Sequence, residues 1–491
     1  MVYASRRSLF LLLVLLALPT VDTHAQSFVP TGNMMMPRLG HSATLLQDGR
    51  VLVAGGNIIN FKGPSDGYSL HATSAAEIYD PATGTFSETG AMTAARAWHV
   101  AVLLQNGRVL LVGGDYWSCG FCIPTADFYD PVTGMFTSTG HMSAAQGWVD
   151  SAILLKNGNV LVSGAGTTEV FDPATGAFTP LSAPLNRLDY GITMSLLSDG
   201  QVLLASRLGL SLYDPASGGF RQLPIGWRID GTRATLLLDG SVFLAGGYID
   251  DYGDDASPHT YVYDPANQTL NTTADMTLPR DSHSATLLRD GRVLIAGGFN
   301  SPDGPVTPDQ GIFSDAELYD PATGTLARTE GMVWGRDGHA ATLLRDGRVL
   351  ITGGRTTVPG SRQQLANPQV STAELFIPES TQGAVPRVTL DRSRYCAGDP
   401  WTLRADSIAP LTSVQISGIR DGSPWTIPGW QTSGPDGTLV AAGTFGADAV
   451  GNYTLWLYAG GKTSNSVSVK IENCSVHLDL TNPLYSPPRK G

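Results

Sequence analysis

Four histidines recur at one fixed distance from an arginine, and imidazole is the side chain that most often ligates metals or exchanges protons near neutral pH. The pairs are Arg38/His41, Arg96/His99, Arg280/His283 and Arg336/His339. Four histidines around one axis could ligate a transition metal. A second pattern competes with that reading. The same four repeats carry an acid at a matching place, Glu77, Asp127, Glu317 and Glu374, whereas two repeats without the R-x-x-H pattern have Ser211 and Tyr261 there. Glu169 breaks the rule by keeping the acid alone. The co-occurrence predicts a repeated contact of arginine and histidine with a carboxylate that holds each unit together, and this is preferred to metal ligation.

The units that lost the pattern offer other chemistry. Trp148, Asp150, Asp189, Tyr190, Trp227, Asp230 and Arg233 fall where the motif has drifted. Aromatic, acidic and guanidinium groups together suit stacking on, and hydrogen bonding to, a sugar or a peptide. Decay of a repeat under no functional pressure is the competing account. Asp150, Asp189 or His99 could also act as a general acid or base. The run Asp250-Asp251-Tyr252-Gly253-Asp254-Asp255 could hold Ca²⁺ through carboxylate oxygens, but it lacks the spacing of a calcium loop, so a solvated acidic loop is preferred. The cysteines fall as Cys119 with Cys122 and Cys396 with Cys474. In an oxidising compartment both pairs read as disulfides. A lone C-x-x-C can instead be redox-active or bind metal, but no second C-x-x-C and no histidine pair accompanies it.

These groups must be positioned by something, and the chain supplies one unit seven times. The best copy, His41 to Phe86, reads HSATLLQDGRVLVAGG, a variable loop, then AEIYDPATGTF. A turn pair recurs at Asp48-Gly49, Asn106-Gly107, Asn157-Gly158, Asp199-Gly200, Asp239-Gly240, Asp290-Gly291 and Asp346-Gly347. Each lies between two apolar runs, and the pairing predicts a type I′ hairpin turn with both residues at positive φ. Tyr79-Asp80-Pro81-Ala82-Thr83-Gly84-Thr85-Phe86 predicts a second hairpin per unit. Four strands per unit of about 40–58 residues, with Gly-Gly doublets after the second strand, define an all-β, seven-bladed β-propeller.

The ends of the array predict how the ring closes. The seventh unit stops at Glu374-Leu375-Phe376-Ile377-Pro378 without its last strand, and Phe28-Val29-Pro30-Thr31-Gly32-Asn33-Met34 matches Phe86-Ser87-Glu88-Thr89-Gly90-Ala91-Met92. An N-terminal strand that completes the last blade would leave no open edge. The propeller then spans 26–379. Residues 387–475 change to short alternating strands such as Tyr453-Thr454-Leu455-Trp456-Leu457, a β-sandwich pattern, and a Cys396–Cys474 bond would close a loop worth roughly 4 kcal/mol. Residues 476–491, Pro-rich and without a core pattern, are expected to be disordered.

These motifs resemble those of the kelch-repeat proteins, and more narrowly the propeller of the galactose oxidase group, over about 350 residues. The resemblance implies an immunoglobulin-like module for 387–475, since such modules follow propellers in that group. It also brings copper radical oxidases to bear. Those enzymes place a Tyr-His pair at the point where R-x-x-H stands here, with a second tyrosine crosslinked to cysteine and a second histidine from the C-terminal domain. In this chain the residue before each histidine is Gly40, Trp98, Ser282 or Gly338, and none is tyrosine. The C-terminal domain has no histidine before Cys474, and His477 lies beyond it. No copper, and no other cofactor, is expected.

Composition and targeting bound the rest. Arg6 and Arg7, the apolar run Leu9 to Leu18, and Thr23 and Ala25 before Gln26 read as a signal peptide over 1–25, because the run is short of the ~20 residues that span a bilayer. Cleavage would remove Arg6, Arg7 and Asp22 and take the formal charge from −12 to −13. An acidic chain with no basic patch disfavours nucleic acid or an anionic membrane as partner. A secreted, extracellular or periplasmic, monomeric protein is expected. The leading functional reading is a non-catalytic propeller that binds a glycan or an extracellular protein on the face that carries its variable loops. The alternative is a carbohydrate-active enzyme of the galactose oxidase-like or sugar-isomerising kelch type, and a third reading is an envelope or adhesion protein with no small ligand.

Overall fold

The computed structural model describes residues 26–378 apart from 64–66, 117–120, 144–148, 165–166, 183–190, 226–230, 249–255, 301–310 and 357–369, together with ten strands between 387 and 472. The signal-peptide reading of 1–25 and the tail 476–491 lie outside the described residues. Every element described is a strand or turn, and seven four-stranded antiparallel sheets follow one another around a ring. Blade 1 is typical, with strands Ser42–Leu45, Val51–Ala54, Ala76–Asp80 and Thr85–Glu88 from the axis outward.

The seven innermost strands, from Ser42–Leu45 to Ala340–Leu343, each lie beside the innermost strand of the next blade and enclose the central channel. The second strands explain why the blades stack. Val51–Ala54, Val109–Val112, Val293–Ala296 and Val349–Thr352 are buried at every position, which requires a neighbour on both faces of the sheet. Alternation divides the faces between two neighbours. Val51, Val53 and Tyr79 pack with Leu350 and Leu375 of blade 7, whereas Leu52, Ala54 and Ile78 pack with Val109, Leu111 and Tyr129 of blade 2. Each such aliphatic side chain contributes about 1.5–3 kcal/mol on burial.

The hairpin between the first two strands differs from its expected form. Leu46 N–H donates to Arg50 C=O, Gly49 N–H donates to Leu46 C=O, and only Gly49 of the pair has positive φ, at 94°. This is a three-residue loop, a turn closed by a left-handed glycine, rather than a type I′ turn. Asp48 explains the choice. Its Oδ1 accepts from Arg50 N–H at 2.9 Å, and that contact holds the aspartate in a right-handed turn conformation.

Ser27–Pro30 pairs antiparallel with Ala373–Ile377, with Phe28 opposite Phe376 and their rings 5.0 Å apart. The first strand of the chain is therefore the outer strand of blade 7. Thr31 and Gly32 then reach blade 1, where Thr31 Oγ1 lies 2.9 Å from the Tyr79 hydroxyl and Gly32 N–H donates to Gly84 C=O. Thr89 and Gly90 make the same contacts with Tyr129 and Gly134 of blade 2.

Beyond the ring, Arg387–Leu390, Pro400–Asp406 and Leu439–Thr444 form one sheet, and a second is built on Val467–Glu472, Gly451–Ala459 and Ser413–Arg420. Cys396 pairs with Glu472 in the parallel edge of that second sheet, two residues before Cys474. Cys119 and Cys474 lie outside the described residues, so neither cysteine pairing is on view.

Candidate functional site

The Asp-Gly and Asp-Pro turns share one face of the disc, and the loops that lead into each innermost strand share the other with the segments that follow the Gly-Gly doublets. The R-x-x-H residues lie in those leading loops. Arg38 is fully buried and braces its own blade: its Nη1 donates to Gly55 and Ala75 carbonyls at 2.8 and 2.7 Å, and its Nη2 to Glu77 Oε1 at 2.8 Å. Arg96, Arg280 and Arg336 repeat the arrangement with Asp127, Glu317 and Glu374.

The histidines do something else, which corrects the expectation that they share the carboxylate. Each reaches backwards to the preceding blade. His99 Nε2 lies 2.9 Å from Ser42 Oγ, His339 Nε2 lies 3.0 Å from Ser284 Oγ, and His41 Nε2 lies 2.8 Å from Thr352 Oγ1. Ser42 and Ser284 open their innermost strands. Blade 7 has Ala340 at that place and Thr352 directly opposite it, so the hydroxyl has moved across the pair. Burial, with the neighbouring arginine charges, pushes His41, His99 and His339 down to about 3, so the rings are neutral. His283 is the exception. Blade 5 has Arg233 and Ala245 at the two places that could carry the hydroxyl, and neither ring nitrogen of His283 has a hydrogen-bond partner among the described residues. A buried unsatisfied group of this kind costs about 1–3 kcal/mol.

The two variable positions of R-x-x-H form the rim of the channel. The second is left-handed in all four motifs, at Gly40, Trp98, Ser282 and Gly338, with φ between 50° and 65°. Three backbone bonds join them: Trp98 N–H to Gly40 C=O at 2.7 Å, Gly40 N–H to Gly338 C=O at 3.1 Å, and Gly338 N–H to Ser282 C=O at 3.4 Å. For a residue as bulky as Trp98 this backbone costs about 1–3 kcal/mol. Its indole is 39% exposed and lies flat over Gly40, where a Cβ would come within 2.6 Å of the ring, with its far edge at Gly338.

The first variable position is Leu39, Ala97, Asp281 or Asp337. Asp281 is buried, accepts from the Tyr248 hydroxyl and takes a 3.1 Å bond from Ser282 Oγ; desolvation raises its carboxyl above the usual range despite those bonds. Asp337, also buried, is held by a two-bond fork from Arg355 at 3.1 and 2.6 Å. Tyr248 and Arg355 each directly follow a Gly-Gly doublet, and the Tyr248 ring covers Gly231 as Trp98 covers Gly40. Arg233 Nε donates to His283 C=O at 3.0 Å, and its side chain is exposed in the channel. Protein crowds it closely enough that desolvation lowers its pKa, with Asp281 as the main opposing influence.

Of the residues singled out from sequence, Arg233 is at this rim. Asp150 is half-buried at the place that histidine fills in the R-x-x-H blades, with its N–H donating to Ser163 C=O. Trp148, Asp189, Tyr190, Trp227, Asp230 and the 250–255 loop lie outside the described residues. Counted along the sequence repeat, Trp148, Tyr190 and Asp230 hold the position of Asp281 and Asp337. The fixed letters of R-x-x-H do not mark Asp281, Asp337, Tyr248, Arg355 and Trp98 as a site. The signal lay in its two variable letters and in the residue after each doublet.

The described residues do not fit the copper centre of the galactose oxidase group. Three histidine Nε2 atoms face hydroxyls in three different seams between blades, and no group of three or more His, Cys, Asp or Glu among the described residues could hold a metal ion. A Cβ before His41 would meet the Trp98 indole at 2.6 Å and one before His339 would meet Leu39 Cδ1 at 2.4 Å, so neither place takes tyrosine without displacing a neighbour.

The described fold is that of a seven-bladed β-propeller. Among solved structures the chain is similar to a fungal alcohol oxidase of the AA5 family, described in complex with copper, at a TM-score of 0.59 and 17% identity over 91% of this chain and 99% of that one. No family model and no curated protein matches the chain.

Proposed function

We propose that this protein is a secreted binding propeller that takes a carbohydrate at its channel mouth, with the C-terminal segment as an immunoglobulin-like spacer or dock. One observation carries the reading. The exposed Trp98 indole ends at Gly338, whose neighbours are the Asp337–Arg355 fork and, through Ser282, the Asp281–Tyr248 pair. An aromatic face beside fixed hydrogen-bonding groups matches the apolar face and hydroxyl edge of a sugar ring. The carboxylates are recessed, 6% and 5% exposed, which suits a small hydroxylic ligand better than a flat protein surface. Titration calorimetry of glycan-array hits is the test. Trp98→Ala should weaken binding about tenfold or more, as loss of a stacking aromatic does; unchanged affinity rules this mouth out.

The Tyr248–Asp281 pair supports a second reading, metal-free acid–base chemistry on a sugar, because a buried carboxyl raised above its usual range and bonded to a phenol can pass a proton. Tyr248→Phe distinguishes the two. Retained binding with loss of turnover would make the protein an enzyme, and retained binding with no turnover in wild type would leave it a binder.

A further inference from the structure

Arg233 is the only charged residue on the seven innermost strands. The equivalent first positions of the other six blades are Ser42, Val100, Ser151, Thr193, Ser284 and Ala340. Arg233 crosses to the next blade through Nε alone, and does not supply the bond to histidine that Ser42 and Ser284 make from the same position. It stands where blades 1 and 6 supply a hydroxyl to the next blade's histidine, and its presence leaves His283 buried with both ring nitrogens unsatisfied. A structural bond has been given up at this one seam for a cation in the channel. That cation is presented in a fixed pose. Nε is tied to His283 C=O at 3.0 Å, and the terminal nitrogens of the fork have no hydrogen-bond partner among the described residues. Asp281 is the carboxylate that acts on it most electrostatically, yet it makes no ion pair with Arg233 and is bonded instead to Tyr248 and Ser282.

We infer that Arg233 is an anion-recognition residue and that the ligand of the channel mouth is an acidic saccharide, one whose sugar ring bears a carboxylate. The inference rests on the carbohydrate reading above and narrows it. A guanidinium fork with open terminal nitrogens matches the two oxygens of a carboxylate, and such charge-assisted pairs are stronger than bonds to a neutral hydroxyl. In a chain of formal charge −12, Arg233, which has no ion pair among the described residues, selects an acid by local contact rather than by long-range attraction.

The experiment uses the full mature chain and matched probes: oligosaccharides of galacturonate, glucuronate and mannuronate, and their methyl esters, which keep the ring and lose the charge. Wild type should bind an acid at least about tenfold more tightly than its ester, and Arg233→Ser should bind both alike. Arg233→Ser also returns a hydroxyl to His283, so its melting temperature should rise rather than fall, which separates loss of the ligand contact from loss of the fold. Esters bound as tightly as acids by wild type would overturn the inference and leave the carbohydrate reading standing. A preference for the acid that survives in Arg233→Ser would overturn the role of Arg233. Binding of neither form would overturn both readings.

Discussion

The imidazoles that brace the ring are useful because they stay neutral, and this gives the protein a specific response to acid. His41, His99 and His339 titrate near 3 when folded and near 6.5 when unfolded, so below about pH 6.5 the unfolded chain binds protons that the folded chain refuses. Their contribution is full above that pH and is lost as pH falls, at up to about 1.4 kcal/mol per unit for each ring. Asp281 and Asp337 work the other way, since burial raises both carboxyls and that favours the folded state as pH falls toward their own pKa values. These three rings, with His283, which burial also pushes well down, outweigh the two carboxyls, so thermal denaturation followed from pH 7 to 4 should show a steep fall in melting temperature. His41→Asn should flatten that fall, and a slope unchanged in the variant would remove His41 from the account. The arginines carry a larger single cost. Glu77→Ala leaves Arg38 fully buried beside two carbonyls and no countercharge, and urea denaturation should show a loss of about 3–5 kcal/mol.

At the scale of the strand and hairpin, most of the architecture was legible in the sequence, because each rule behind it is local. Buried second strands appear as unbroken runs such as Val51–Ala54, and the DPATG turns carry their own hydrogen-bonding side chains, Asp80 Oδ1 accepting from Ala82 N–H at 2.9 Å. The exact turn at Asp48-Gly49 was not legible, since the same dipeptide serves two loop lengths and the decision rests on one side-chain bond to Arg50. The rim was legible only in its fixed letters. Asp281 and Asp337 stand where other blades carry Leu39 and Ala97, and Trp98 stands where four other blades have glycine; what those exchanges do depends on which blades are neighbours. The His41–Thr352 bond shows the difficulty, because it joins the first blade to the last.

The whole ring is held shut at one seam, and the sheet there belongs to both ends of the array. Deleting residues 26–34 would strip blade 7 of its outer strand, remove Phe28 from the core it shares with Leu294 and Phe376, and remove the Thr31–Tyr79 contact to blade 1. Calorimetry should show a large fall in the melting temperature of the propeller as one cooperative unit, and an unchanged transition would mean that closure contributes nothing. The same seam sets an order of events for a chain made from its N-terminus. Phe28 is synthesised first and its slot beside Phe376 last, so the strand that completes the ring must wait, unpaired, while six blades and most of the seventh are built. Through that interval both the waiting strand and the growing edge of the newest blade are open to other chains. A circular permutant cut at a Gly-Gly loop, with the present ends joined, would place the waiting strand next to its partner in time, and would trade one late closure for another at a different seam.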